Sequence, residues 1–188
     1  MNKWIIIVLL SCMSSAHASW WAKEQKKKVV SVQEATDLSL LAWQAKQRQL
    51  PILLVVSQDD CPYCKLLKSD VLNPMLLSGD YDERVIIAEL MIDYDESIKG
   101  FNGELILPSA ISADYQTWVT PTLLFVDYQG KEVYKRMIGV NTVEMFGFYL
   151  DEALDGALKA VRQGEPYTYK ATRKDRRLKS ISDKLLSF

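Results

Sequence analysis

The chain has 188 residues, 48% of them hydrophobic and 25% charged, with a formal net charge of -1, three cysteines and one histidine. That length suits one domain with a tail, and six prolines with eight glycines exclude a collagenous or low-complexity chain. The near-neutral charge gives no general reason to expect nucleic-acid binding, one histidine cannot build a His-rich metal site, and three cysteines are too few for a disulfide-stapled miniprotein.

The N-terminus carries Lys3, an uninterrupted apolar run from Trp4 to Leu10, and then Ala16-His17-Ala18. A positive start, a short apolar core and small residues around a cleavage point make residues 1–18 a secretory signal peptide, with Ser19 as the new N-terminus. The segment is too short to stop as a transmembrane helix. Leu9-Leu10-Ser11-Cys12 loosely resembles a bacterial lipoprotein box that would anchor the chain at Cys12. The apolar core ahead of it is very short, so cleavage after Ala18 ranks higher. Cleavage removes Cys12 and His17, leaving Cys61 and Cys64 and no histidine. A Ser-His-Asp or Cys-His catalytic arrangement and histidine metal ligands are thereby excluded within the mature chain.

Residues 19–31 read as a solvated leader with Lys26, Lys27 and Lys28 in a row. Ser31 and Glu34 have the spacing of a capping box, and Val32, Ala35, Leu38, Leu41, Ala42 and Ala45 follow at helical spacing, which predicts a helix over 32–48. After Pro51, the continuous apolar run Ile52 to Val56 predicts a buried central strand. Pro62 suits a first helical turn, and residues 62–78 read as helical, with Pro74 implying a kink or an early end. Arg84 to Ile92 reads as a strand, residues 93–113 as irregular, and Ser112 to Trp118 as a short helix. Pro121 opens a third apolar run, Thr122 to Val126; the turn at Tyr128 to Lys131 leads into a strand from Glu132 to Ile138. Asn141 is placed to cap a helix over roughly 142–160. The tail, 161–188, holds eight basic and three acidic residues, whereas 19–160 holds 14 basic and 21 acidic. Thr172 to Asp175 would cap a terminal helix with Leu178, Ile181, Leu185 and Phe188 on one stripe. Opposite charges within one chain favour packing of that tail on its own domain over a partner or anionic-membrane contact.

Cys61-Pro62-Tyr63-Cys64 carries the chemistry. The thiolate is the reactive sulfur species, and the N-terminus of a helix stabilises it. Cys61 stands just before the predicted helix and Cys64 one turn inside it, close enough to attack a mixed disulfide formed at Cys61. Lys65 and Lys68 favour the thiolate while Asp59 and Asp60 oppose it; the helix terminus wins, placing the Cys61 pKa below the free value of about 8.5. A purely stabilising disulfide is inefficient across so short a loop. A zinc site needs ligands that no second Cys pair or histidine supplies.

With this unit, and with Tyr115 to Phe125 as a second segment in which Pro121 opens a strand, the chain resembles the thioredoxin superfamily over about residues 32–160. Gly139 fits the same pattern. The resemblance implies an α/β thioredoxin-like fold: a central mixed sheet of about four strands flanked by helices, plus the basic tail. It places Pro121 at the family's cis-proline, facing the CxxC, with Thr120 and Pro121 helping to bind substrate and hindering metal capture by the two thiols. Read from the sequence alone, Pro121 is a strand-opening proline, and most X-Pro bonds are trans. Thioredoxins bury an aspartate in the strand before the motif; the matching position is Val55, so that proton acceptor is missing. Together with the signal peptide, these departures resemble periplasmic thioredoxin-like proteins, such as SoxW-type proteins and the catalytic domains of the disulfide isomerase and sulfenic-acid reductase group. The leader is far too short for that group's dimerisation domain, so a monomer is expected.

The expected activity is thiol–disulfide exchange on protein substrates in the periplasm, as a reductant rather than an oxidant. Cys61 and Cys64 are the catalytic and disulfide-forming pair, supported by Pro62, Tyr63 and Lys65. No metal and no cofactor beyond the redox-active disulfide is expected. A reductase in an oxidising compartment needs an electron donor, and a membrane protein of the thiol-relay type is expected. Two other classes stay open: a thioredoxin-fold binding or chaperone module whose disulfide stays shut, and a thiol-based metal-delivery protein.

Overall fold

Both faces of the central strands are covered, which is why those strands read as unbroken apolar runs. The computed structural model describes residues 30–140 and 143–164, together with Tyr167 and Lys170. In chain order the elements are β1 (Gln33–Glu34), α1 (Leu38–Arg48), β2 (Ile52–Ser57), α2 (Pro62–Leu67), a π turn (Lys68–Leu72), α3 (Asn73–Ser78), β3 (Ile86–Met91), β4 (Ile98–Lys99), β5 (Leu105–Ile106), α4 (Pro108–Asp114), β6 (Thr122–Val126), β7 (Glu132–Ile138) and α5 (Val143–Gln163). The main sheet has the order β1-β3-β2-β6-β7, and β4 pairs with β5 in a separate ribbon. β3 runs parallel to both β1 and β2, while β6 is antiparallel to β2 and β7 is antiparallel to β6.

Alternation along β2 divides the core into two layers. Leu53 and Val55 join Leu67, Leu72, Phe146, Leu150 and Leu154 on the face covered by α2, the π turn and α5. Ile52, Leu54 and Val56 join Leu38, Ala45 and Ile111 on the face covered by α1 and α4. Gly156 lets α5 approach β7, because a Cβ there would overlap the Tyr134 ring. That ring stands edge-on to Phe125, its partner across the β6–β7 pair, with centroids 6.1 Å apart. Arg136 is buried on β7. Its guanidinium donates to both Glu132 carboxylate oxygens at 2.8 Å and to the Tyr115 carbonyl at 2.7 Å, joining the end of α4 to the sheet.

The central mixed sheet, expected with about four strands, has five, the edge strand forming where Gln33 and Glu34 pair with Ala88 and Glu89. For the same reason the first helix does not begin at residue 32. The sheet edge takes the backbone of 33–35, and the Asp37 carboxylate, not a Ser31–Glu34 capping box, caps α1 by accepting the Leu40 N–H at 2.9 Å. The short helix lies at Pro108–Asp114 rather than 112–118, since Pro108 occupies the first turn, where its missing N–H is harmless. The stretch expected to be irregular also contains the β4–β5 ribbon. At Pro74, where a kink or an early end is expected, the helical path continues. The chain widens ahead of it into the π turn, where the Asn73 N–H donates to the Lys68 carbonyl five residues back. The signal peptide with Cys12, leader residues 19–29, the Asn141 cap and the terminal helix of the tail lie outside the described residues. Among the described residues, no helix is long and apolar enough to cross a membrane.

Candidate active site

The buried strand β2 delivers the chain into Gln58, Asp59 and Asp60, which are exposed, and then into Cys61. Cys61 is the N-cap of α2, in extended backbone geometry, and its carbonyl accepts the N–H groups of Cys64 and Lys65 at 3.1 Å each. Its Sγ accepts the Cys64 N–H at 3.2 Å, so the sulfur occupies the place that a hydroxyl or carboxylate fills at an ordinary cap. Pro62 lies in the first turn, where it forfeits no helical hydrogen bond. Cys61 and Cys64 are joined as a disulfide with Cα atoms 5.2 Å apart. Cys61 is 6% exposed and Cys64 1%, so Cys61 is the less deeply buried of the two. Tyr63 is 60% exposed beside them, and Lys65 points to solvent on the same turn.

Two further segments converge on this point. The Thr120–Pro121 peptide is cis. Thr120 donates its hydroxyl to the Gln58 side-chain oxygen at 3.1 Å, and the Pro121 carbonyl accepts the Gly139 N–H at 2.8 Å. The loop is therefore tied on one side to the segment leading into Cys61 and on the other to the end of β7, where Gly139 takes a φ of +69° that favours glycine. Beyond β3, an Asp93 carboxylate oxygen accepts the Asp59 N–H at 2.8 Å. The rim here is acidic: the Glu34 carboxylate, then desolvation and the charges of Asp59, Asp93 and Glu89, hold the Tyr94 hydroxyl above its ordinary pKa.

Beneath the rim, Val55 on β2 pairs with Glu89 on β3. Glu89 is 2% exposed, and one of its oxygens accepts from Lys68 Nζ at 2.8 Å. Lys68 follows Cys64 by one helical turn, its backbone N–H donating to the Cys64 carbonyl. The other oxygen of Glu89, Oε1, and the hydroxyl of Ser57 are the two buried side-chain polar atoms without a hydrogen-bond partner among the described residues.

Cys61, Pro62, Tyr63, Cys64 and Lys65 therefore share one turn, and Thr120–Pro121 is held to it through Gln58. The sequence reading passed over Gln58 and Asp93, whose contacts span loops and leave no local signal. It also passed over Glu89, which had one: a lone acid inside the apolar run Ile86 to Met91. Among the described residues, no group of three or more His, Cys, Asp or Glu side chains is placed to hold a metal ion.

Residues 41–154 match the family described as thioredoxin-like domain. No curated protein matches the chain. Among solved structures, a poplar thioredoxin h is similar at 19% identity and a TM-score of 0.46, over 65% of this chain and 96% of that one. A DsbH oxidoreductase aligns at 16% identity and 0.49, over 76% and 95%. The C-terminal domain of Neisseria meningitidis DsbD aligns at 17% identity and 0.44, over 64% and 98%.

Proposed function

The chain belongs to the thioredoxin-like domain family, and we propose that it is a thiol–disulfide oxidoreductase acting on protein substrates. The observation that carries this reading is the Cys61–Cys64 disulfide at the start of α2, with the less buried cysteine at the helix cap. In the reducing direction the Cys61 thiolate attacks a substrate disulfide, forming a mixed disulfide and releasing one substrate thiolate. The Cys64 thiolate then attacks Cys61 Sγ, closes the protein disulfide and releases the second substrate thiolate. The substrate gains two electrons and the protein loses two. Thr120 and Pro121 line the approach to Cys61 and bind the substrate backbone, while Pro62, Tyr63 and Lys65 shape the exposed side of the site.

The protein works in the periplasm after loss of residues 1–18, as a monomer and as a reductase. A membrane protein of the thiol-relay type returns its electrons. The apolar core and small-residue cleavage signal at the N-terminus support export. The two thiols need no further cofactor.

A Cys64→Ser variant is expected to accumulate mixed disulfides with client proteins, visible as adducts on non-reducing gels and absent from Cys61→Ser/Cys64→Ser. If no Cys61-dependent adducts form, the reading fails. The reduction potential decides direction: a value near about -270 mV supports a reductase and one near about -120 mV an oxidase.

A further inference from the structure

The chemistry at Cys64 needs a base. Cys64 is 1% exposed, and as a thiol it is a poor nucleophile until it loses its proton. Histidine, the common proton acceptor at neutral pH, occurs once in the chain, at His17 ahead of the predicted cleavage point. Among the described residues, one buried carboxylate on the sheet face under α2 has an oxygen to spare. Glu89 Oε2 is held by Lys68 at 2.8 Å, and Oε1 has no hydrogen-bond partner among the described residues. A buried polar atom left unpaired is costly, so this oxygen calls for a partner or a role. Strand register places the group. Glu89 is opposite Val55, whose side chain lies in the core layer under α2. Ser57, two residues further along β2, falls on the same face by alternation and ends the strand nearest the CxxC. Its hydroxyl, also without a partner among the described residues, is thus on the same sheet face as Glu89, at the strand end that leads to the CxxC.

Resting on the oxidoreductase reading above, we propose that Glu89 is the proton acceptor for the Cys64 thiol, with the Ser57 hydroxyl on the path between them. In the mixed disulfide, the Cys64 S–H proton passes to Glu89. The resulting thiolate pair attacks Cys61 Sγ, forming the Cys61–Cys64 bond, and the Cys61–substrate bond breaks with its electron pair leaving on the substrate sulfur. Glu89 then returns its proton to that thiolate or to solvent. In the reverse direction Glu89 protonates Cys64 as it leaves. The charged and titratable groups around this carboxylate are Lys68 from the π turn, which is bound to it, Glu34, its register partner on β1, and Tyr94 at the rim, which feels the charges of Glu89, Glu34, Asp59 and Asp93.

The test uses the reduced full chain and an aromatic disulfide that releases one coloured thiolate when Cys61 attacks and a second when Cys64 resolves the adduct. Glu89→Gln keeps the shape and is expected to leave the first phase within about twofold while slowing the second by about tenfold or more at neutral pH. The deficit narrows as pH rises and hydroxide takes over removal of the proton. A role in packing alone would move both phases or neither, and would not steepen the pH dependence of the second. A second phase within twofold of the native rate in folded Glu89→Gln overturns the inference and leaves the oxidoreductase reading intact. Loss of the first phase from the native protein, or its survival in Cys61→Ser, sinks that reading instead. Should Glu89→Gln fail to fold, Glu89→Asp keeps the charge beside Lys68. Its second phase is expected to slow severalfold with the first unchanged, and a native rate there overturns the inference equally.

Discussion

Asp37 receives three donors at once: the Ser39 hydroxyl at 2.5 Å, Lys99 Nζ at 2.9 Å and the Leu40 N–H at 2.9 Å. The Ser39 bond first, then those from Lys99 and Leu40, lower its pKa from 3.8 to about 2. A depressed folded-state pKa gives stability that is fully present above the ordinary carboxylate value and is lost as pH falls through the folded one. Asp37→Asn keeps a capping oxygen but not the charge. It is expected to melt a few degrees below the native protein at neutral pH, with the gap closing as pH falls from about 4 to about 2, followed by circular dichroism. The residue scale also shows where sequence reading stops. Cys61 and Cys64 announce themselves by spacing, because their chemistry is local to one turn. Glu89 was legible as an oddity in an apolar strand but not as a neighbour of Val55, because cross-strand register is written in no single segment.

Among the elements, α5 illustrates how packing overrules intrinsic preference. Alanine in a helix interior is ordinarily favoured over glycine by about 1 kcal/mol. At Gly156 the added methyl would meet the Tyr134 ring, which Phe125 holds from the other side. Overpacking of that kind costs about 1–3 kcal/mol, so Gly156→Ala is expected to destabilise the protein in urea unfolding. Tyr134→Leu in the same chain should recover most of the loss, since it removes the obstacle. β2 and β6 were legible because strands covered on both faces are apolar throughout. β1 was not, because two exposed residues carry no periodicity and their pairing depends on where β3 lies. Pro108 lies in a stretch that reads as irregular, yet it starts a helix; proline breaks or opens a helix according to its distance from the helix end.

Across the whole molecule, the ties that matter are those joining distant segments. Arg136 links β7 to the end of α4 through Glu132 and the Tyr115 carbonyl. Arg136→Met would strand the Glu132 carboxylate in the interior, and losing one partner of a buried pair costs about 3–5 kcal/mol. Unfolding in guanidinium should show that loss as a lower midpoint, while Arg136→Met/Glu132→Leu should restore much of it. The order of helices and strands was largely readable in advance. The path by which Thr120 reaches Gln58, and Asp93 reaches Asp59, was not, because those contacts exist only once the sheet has assembled.

The π turn at Lys68–Leu72 separates the turn that carries the two cysteines from the helix that follows. It holds one residue more per turn than an α-helix requires, and Leu67 and Leu72, five apart, both stay in the core because of it. A deletion within 69–71 would let α2 and α3 fuse into one regular helix without touching the Cys61–Cys64 turn. It would swing α3 and the approach to β3 round the helix axis. Such a change would leave the Cys61–Cys64 turn in place and alter the orientation of α3.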